Sequence, residues 1–172
     1  MSKILLNSSV KQLLVTLALT APYPTLYAAV SESTMQDVKV RVTQAAGIRI
    51  GPISLVNSSE INAHADSDNQ RITIYTGMLN FVNSADELAV VLAHEVCHLL
   101  ENDVGAVMEQ EKQADICGRD LMQKAGYNPQ AGVRYHSRYI QQYGDIGPPT
   151  HPYASTRKEF YRTGDKGLYY DK

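Results

Sequence analysis

The spacing of two histidines and one glutamate constrains this chain more than any other feature of its sequence. The segment reads His94-Glu95-Val96-Cys97-His98, which is the pattern H-E-x-x-H. On a helix of about 3.6 residues per turn, side chains four positions apart stack on one face, so both imidazoles can approach one metal ion. The intervening glutamate flanks the same site, where it can act as a base. The pattern therefore predicts a helix carrying one zinc ion, with His94 and His98 as ligands and Glu95 as the catalytic base.

The surrounding residues predict the helix that this spacing requires. Ser84-Ala85-Asp86-Glu87 has the form of a capping box, in which a hydroxyl and a carboxylate satisfy free backbone N–H groups at a helix start. Leucine, valine and alanine then dominate until about Asn102. Burying two imidazoles and a carboxylate on such a helix is costly unless a metal and its water satisfy them. The segment therefore favours a metal site over ordinary core histidines.

A catalytic zinc ion usually has three protein ligands and one open position, so a third ligand is needed. Glu101 and Asp103 lie too close to the end of the first helix to fold back easily. Glu111 and Asp115 are four apart on a second helix predicted at residues 106–125, so one can bind zinc while the other orients a ligating histidine. Glu111 is the better candidate, although such pairs also occur on solvated helix faces. The other downstream candidates are Glu109, His136 and His151.

Length and composition favour one compact domain. The 172 residues are 44% apolar, and 16 basic residues nearly balance 18 acidic ones. This balance, without any basic run, argues against nucleic acid or an anionic membrane surface as a partner. We expect a leader at residues 1–29, a single domain at 30–165 and a tail at 166–172. We also expect the segment with Tyr161, Tyr169 and Tyr170 to fray or to pack on the surface.

The leader has the order of a secretory signal: lysines, then an apolar stretch, then small residues. We predict cleavage after Ala28 or Ala29 and a periplasmic or secreted protein. The apolar stretch at residues 13–21 is much shorter than the roughly 20 residues that a membrane-spanning helix needs. An uncleaved N-terminal anchor or a disordered leader is the alternative.

The remaining patterns predict an α+β fold that is mostly helical. Helices are predicted at residues 31–46 and 129–143, and residues 48–56 resemble an edge or bent strand. Residues 60–65 and 71–76 flank a turn-forming set, so we expect a short antiparallel sheet or hairpin beside the metal-binding helix. Cys97 and Cys117 both fall in helical segments, where we expect buried free thiols rather than a disulfide.

Four blocks of the sequence resemble the HtpX-like and CAAX-prenyl-protease-like zinc metallopeptidases, a branch of the gluzincins. The blocks occur in the family's order and lie at residues 62–65, 75–79, 86–98 and 111–129. The resemblance implies a zincin-like domain that binds one zinc ion, with Glu111 as the third ligand and Asp115 as the partner of a ligand. It also implies that Glu95 is both general base and general acid.

The resemblance extends to substrate binding and to a later loop. The strand Asn62-Ala63-His64-Ala65 would be an edge against which an extended substrate backbone lies. His151-Pro152, followed by Arg157, resembles a motif of the family. His151 would then be a fourth zinc ligand in a resting state or would steady the oxyanion during turnover; the alternative is an ordinary loop histidine. The short connection at residues 99–110 departs from many relatives and implies a minimal, soluble form.

These features together predict a zinc-dependent endopeptidase that hydrolyses a protein or peptide substrate with a metal-activated water. The first alternative is a zinc-containing chaperone or binding protein of the same fold with little hydrolysis. The second is a structural-zinc or metal-free interaction module that uses the stripe of Tyr135, Tyr139 and Tyr143, although this helical spacing is more typical of packing.

Overall fold

The computed structural model describes residues 30–105, 107–147 and 149–170. The predicted leader at residues 1–29 lies outside these ranges, so its cleavage and the localisation of the protein stay predictions. Helices dominate the described residues and are joined by one small sheet, which confirms the mostly helical α+β class. Within these ranges, every helix is too short or too polar to cross a membrane.

The first helix, α1 (Glu32–Ala46), agrees to within one residue with the helix predicted at residues 31–46. The Ser31 side chain accepts a hydrogen bond from the backbone N–H of Thr34, which satisfies one free donor of the first turn. Gly47 ends the helix at φ 75°, in the left-handed region that glycine adopts without strain. The buried face carries apolar side chains at helical spacing, namely Met35, Val38 and Val42.

The sheet is mixed rather than antiparallel. Its strands, β1 (Ser54–Val56), β2 (Ala63–Asp66) and β3 (Arg71–Tyr75), lie in the order β1-β3-β2. β2 and β3 form the predicted antiparallel hairpin, but β1 pairs with β3 in parallel. The predicted hairpin is therefore confirmed, and β1 adds a parallel strand on the other side of β3, whose Ile72 and Ile74 are fully buried in the central position. β2 is left as an edge strand, as predicted.

A short helix, α2 (Thr76–Phe81), leads into the long buried helix α3 (Ala85–Glu101). The predicted capping serine, Ser84, accepts a hydrogen bond from the Glu87 N–H at 3.2 Å. The Glu87 carboxylate accepts from the backbone N–H of Asn83 at 2.9 Å. The start of α3 is thus set by local hydrogen bonds that the sequence encodes.

The C-terminal half consists of α4 (Met108–Lys124), α5 (Gln130–Tyr143), α6 (Ala154–Thr163) and a 3-10 helix at Lys166–Tyr169. α6 packs against α5, and the absence of a side chain at Gly132 makes room for Tyr161. A Cβ atom at Gly132 would lie only 2.2 Å from the Tyr161 ring.

The expectation that the C-terminal tyrosines fray or lie on the surface is therefore wrong for two of the three. Tyr161 is fully buried and Tyr169 is nearly so, whereas Tyr170 is exposed. Helix α6 carries Tyr161 into the interior, and the 3-10 helix folds back over the site. Sequence patterns alone did not indicate this, because the partners of both rings lie far away along the chain.

A disulfide joins Cys97 of α3 to Cys117 of α4, with their Cα atoms 6.0 Å apart. The expectation of two free thiols is wrong because the two helices pack face to face at this point. Gly118 lets the helices come this close: a Cβ atom there would lie 3.1 Å from the His94 backbone nitrogen. The disulfide therefore links the two helices that carry the predicted zinc ligands.

Reduction of this disulfide should destabilise the metal-free protein. A crosslink across a separation of 20 residues lowers the entropy of the unfolded chain, which corresponds to roughly 3 kcal/mol of stability. We expect dithiothreitol to lower the melting temperature by on the order of 10 °C. The measurement is thermal unfolding by circular dichroism in a chelating buffer, which separates this effect from metal loss. The double variant Cys97→Ser/Cys117→Ser is the control, and dithiothreitol should not change its melting temperature.

Candidate metal centre

Two histidine side chains of α3 and one carboxylate of α4 converge in the interior. The Nε2 atoms of His94 and His98 are 3.0 Å apart. The Oε2 atom of Glu111 lies 3.1 Å from the first and 3.6 Å from the second. All three residues are buried. The structure thus brings together the three side chains that the sequence predicts as zinc ligands.

A fourth donor comes from the loop between α5 and α6. The Nε2 atom of His151 lies 2.8 Å from the same Glu111 oxygen. The ligand atoms of His94, Glu111 and His151 all lie within 4.8 Å of one another, a group that could hold a metal ion. The Nδ1 atom of His151 lies 3.0 Å from the Thr150 hydroxyl. His151 is therefore not an isolated loop histidine but part of the cluster.

Two aspartates orient the histidines of α3. His94 Nδ1 is 3.0 Å from Asp115 Oδ1, and His98 Nδ1 is 2.8 Å from Asp103 Oδ2. Because an ionised carboxylate can only accept a hydrogen bond, each contact places the imidazole proton on Nδ1. Each Nε2 atom then presents its lone pair to the cluster, which is the tautomer that a metal ligand needs.

This arrangement fits a divalent metal. Two Nε2 atoms and a carboxylate oxygen face one another at 3.0 to 3.6 Å, and their lone pairs repel unless a proton or a metal cation lies between them. Two imidazoles and one carboxylate are a usual set of three protein ligands for a catalytic zinc ion. His94, His98 and Glu111 would hold the ion, with His151 close enough to join them.

The electrostatics of the cluster also favour positive charge. Burial lowers the pKa of His94, but hydrogen bonds to Asp115 and Glu111 outweigh it and raise the pKa to about 9. Burial would raise the pKa of Glu111, yet the neighbouring His151, His94 and His98 hold it well below its usual value. The carboxylates therefore stabilise a cation in their midst.

Asp115 is fully buried and accepts hydrogen bonds from three separate elements. Besides His94, the Arg157 side chain of α6 donates through Nε at 2.8 Å and through a second guanidinium nitrogen. The hydroxyl of Tyr169 donates at 2.8 Å. Burial opposes ionisation of Asp115, but the Arg157 charge and the His94 hydrogen bond keep its pKa below the usual range. Asp115 thus stays anionic and holds the His94 ring in place.

Sequence reasoning missed two supporting residues. The sequence predicts that Asp103 lies too close to the end of α3 to fold back, but Asn102 adopts a left-handed conformation with φ 53° that turns the chain directly after the helix. Asp103 consequently reaches the outer nitrogen of His98. The turn after α3 could have been predicted from Asn102, because asparagine tolerates the left-handed conformation better than most residues. No sequence pattern indicates the contact of Tyr169, because 54 residues separate it from Asp115.

Glu95 lies next to His94 on α3 and lines two cavities that meet at the cluster. The smaller cavity has a volume of about 140 Å³ and the larger about 380 Å³. His151 also lines both. Glu95 is therefore placed where a substrate and a water molecule can reach it beside the metal ligands.

The edge strand β2 borders the same cavities. Asn62 and Ala63 line both of them, whereas His64 and Ala65 line only the larger one. The four residues predicted to bind substrate therefore lie along the cleft at the metal cluster. Among the residues that the structure describes, no strand pairs with the outer edge of β2, so its backbone is free to pair with a substrate.

The tyrosine stripe of α5 has a packing role. The ring centroids of Tyr135, Tyr139 and Tyr143 lie 5.3, 6.3 and 6.4 Å from that of Phe81. These distances are typical of aromatic side chains in mutual contact. The stripe therefore gives no support to an interaction module.

Comparison with known proteins agrees with the metal-binding helix. The model of peptidase family M48 matches residues 30–110. Protease HtpX of Shewanella oneidensis is 36% identical over 77 residues, which cover 43% of this chain and 26% of the relative. Protease HtpX of Shewanella pealeana is 32% identical over the same length and shares. The predicted resemblance to the HtpX-like zinc metallopeptidases is confirmed.

The family match covers only part of the candidate site. The chain spans about a quarter of the length of the curated relatives it matches. The M48 match ends at residue 110, one residue before Glu111. The positions of Glu111, Asp115, His151 and Tyr169 are therefore supported by the structure of this chain independently of the family match.

Removal of the Tyr169 hydroxyl should weaken metal binding. Tyr169→Phe deletes one of the donors that hold Asp115, and Asp115 in turn orients His94. Loss of such outer hydrogen bonds typically costs 10- to 100-fold in metal affinity, and we expect about tenfold because Arg157 remains. Zinc affinity is measured by competition with a chromophoric chelator.

Tyr170→Phe is the matched control for this experiment. The Tyr170 hydroxyl contacts Gln113 and Glu109 on the exposed side of α4, away from the cluster. Its loss should leave zinc affinity within about twofold, as expected for a surface change. Equal zinc affinities for the two variants would contradict the role assigned to Tyr169.

Proposed function

We propose that this chain is a zinc-dependent endopeptidase in which His94, His98 and Glu111 hold the ion. The observation that carries the proposal is the convergence of two Nε2 atoms and one carboxylate oxygen, with both outer nitrogens anchored by aspartates. The likeness to peptidase family M48 supports hydrolysis of peptide bonds as the reaction.

The catalytic base in this proposal is Glu95. Bound zinc supplies Lewis acidity, which acidifies water towards neutral pH and polarises a peptide carbonyl. Glu95 accepts the proton of the attacking water and then passes it to the leaving amine. Its position beside His94 and its exposure to both cavities support these two roles.

The substrate would lie along β2 as an added strand. An extended peptide that pairs with the free edge at Asn62, Ala63, His64 and Ala65 places its backbone beside the metal cluster. Backbone hydrogen bonds of this kind bind a peptide independently of its side chains. They therefore suit an unfolded stretch of a protein or peptide substrate.

His151 acts in this proposal as a fourth ligand of the resting site. Its Nε2 atom, 2.8 Å from Glu111 Oε2, supports this role. A catalytic zinc ion needs an open position, so His151 would hold the ion only in the resting site. The alternative role, to steady the oxyanion, is compatible with its place in the lining of both cavities beside Glu95.

Export is part of the same proposal. The signal-like order of residues 1–29 predicts a periplasmic or secreted protein. The Cys97–Cys117 disulfide supports this prediction, because disulfides persist mainly in oxidising compartments.

Glu95→Gln should retain zinc but lose hydrolysis. The amide keeps the shape of the side chain but cannot accept the proton, so we expect kcat to fall at least about a hundredfold. Cleavage of unfolded casein is followed by mass spectrometry, and zinc content by atomic absorption. Near-normal turnover by this variant would refute the role of Glu95.

Glu101→Gln is the matched control, since Glu101 lies at the exposed end of the same helix. It should hydrolyse casein at the rate of the unmodified protein. A chelator should abolish cleavage by both proteins. Persistent binding of casein without cleavage, in the presence of bound zinc, would instead favour the chaperone alternative.

A further inference from the structure

Two aspartates orient the histidines of α3, but they are supported in different ways. Asp115 is fully buried, and Arg157 and Tyr169 hold it from two other elements. Asp103 lies just beyond the end of α3, outside any helix or strand. Its carboxylate nevertheless lies 2.8 Å from His98 Nδ1. The position of Asp103 must therefore be fixed by another part of the fold.

Among the residues that the structure describes, three hydrogen bonds hold Asp103. Its backbone N–H donates to the His98 carbonyl at 3.1 Å, and its carboxylate accepts from His98 Nδ1. These two bonds fix Asp103 relative to His98 alone, so they leave both residues free to shift together. The third bond comes from another element, because the Ser67 hydroxyl donates to the Asp103 carbonyl at 3.0 Å. The same hydroxyl lies 3.3 Å from the His98 carbonyl. Ser67 therefore ties the pair to the rest of the fold.

The turn that carries Ser67 is held by its own side chains. It joins β2 to β3, and Ser67 follows directly after Asp66, the last residue of β2. The Asp66 carboxylate accepts from the Asn69 backbone at 3.1 Å and from the Asn69 side chain at 2.7 Å. The Gln70 side chain donates to the Ser67 carbonyl at 3.0 Å. Because side-chain bonds of this kind define the shape of a turn, Ser67 is a fixed point against which Asp103 is held.

The same turn ends the strand that is proposed to bind substrate. β2 borders the cavities beside Glu95, and its last two residues, Ala65 and Asp66, pair with β3. Ser67 lies one residue beyond that end, and 31 residues separate it from His98. One side chain therefore joins the substrate strand to the support of a candidate metal ligand.

We infer that Ser67 is a positioning residue of the metal site, whose hydroxyl anchors Asp103 to the end of β2 and so keeps the His98 imidazole directed at the ion. The inference rests on the proposed zinc-dependent function. A ligating imidazole depends on a fixed partner at its outer nitrogen, and Ser67 fixes that partner. It has no part in the chemistry of bond cleavage.

Ser67→Ala should weaken zinc binding about fivefold, the effect expected for one hydrogen bond. Ser67→Thr keeps the hydroxyl, so its zinc affinity should stay within about twofold of that of the unmodified protein. Both affinities are measured by competition with a chromophoric chelator. An unchanged affinity in Ser67→Ala, or an equal loss in both variants, would overturn the inference.

Asn69→Ala is the matched control in the same turn. Among the residues that the structure describes, the Asn69 side chain bonds to Asp66 and not to α3, so zinc affinity should stay within about twofold. Cobalt substituted for zinc gives a second measurement, because its visible absorption depends on the geometry of its ligands. The spectrum should change in Ser67→Ala but not in Asn69→Ala. Equal effects of the two variants would show general loosening of the hairpin and would overturn the inference.

The double variant Ser67→Ala/Asp103→Ala tests whether Ser67 acts through Asp103. Asp103→Ala alone removes the partner of His98 Nδ1 and should weaken zinc binding at least about tenfold. Because the carboxylate is then absent, the added Ser67→Ala change should cause no further loss. A further fivefold loss in the double variant would overturn the route through Asp103.

Failure of the proposed function has a different signature. Zinc affinity is measured without substrate, so a protein that binds zinc but hydrolyses nothing still tests Ser67. If the unmodified protein binds no zinc, the zinc-dependent proposal is refuted. The link is then tested in the metal-free protein by hydrogen exchange of the Asn102 and Asp103 amides, which both donate to the His98 carbonyl.

Exchange of these two amides should be about fivefold faster in Ser67→Ala than in the unmodified protein, since one hydrogen bond that holds the turn is lost. Asn69→Ala should leave both rates unchanged. Equal rates in Ser67→Ala and in the unmodified protein would overturn the inference.

Discussion

The buried carboxylate of Asp115 is the interaction on which the site depends, because it joins three elements that are distant in sequence. It accepts hydrogen bonds from His94 on α3, Arg157 on α6 and Tyr169 in the C-terminal 3-10 helix. An anion buried this completely is tolerated only with opposite charge and several donors around it. The same contacts that satisfy Asp115 therefore orient the ring of His94, a candidate metal ligand, and hold the C-terminal 3-10 helix against the cluster.

The two helices that carry the ligands are held in register by close packing as well as by charge. Gly118 allows α4 to approach the backbone of α3 at His94, and the disulfide joins the same two helices close by. Glu111 lies two turns before Gly118 and so faces both histidines. A shift of α4 along α3 would separate Glu111 from the two histidines.

The two cavities beside Glu95 differ in size and in lining. Glu95 lines both a smaller cavity, whose wall also includes Met78 and Val91, and a larger cavity lined by His98, Asp103 and Glu111. The edge strand β2 runs past both. A peptide bound along β2, as in the proposed function, would therefore meet two surfaces with different linings.

Local patterns in the sequence determined α1, α3, the hairpin and the candidate ligands His94 and His98, because caps and side-chain periodicity act over a few residues. The spacing of Glu111 and Asp115 was also local, but only the packing of α4 on α3 showed that both face His94. The parallel pairing of β1, the disulfide and the burial of Tyr169 were decided by tertiary structure. Each joins segments whose approach depends on the volumes and charges of the whole core, which no short stretch of sequence contains.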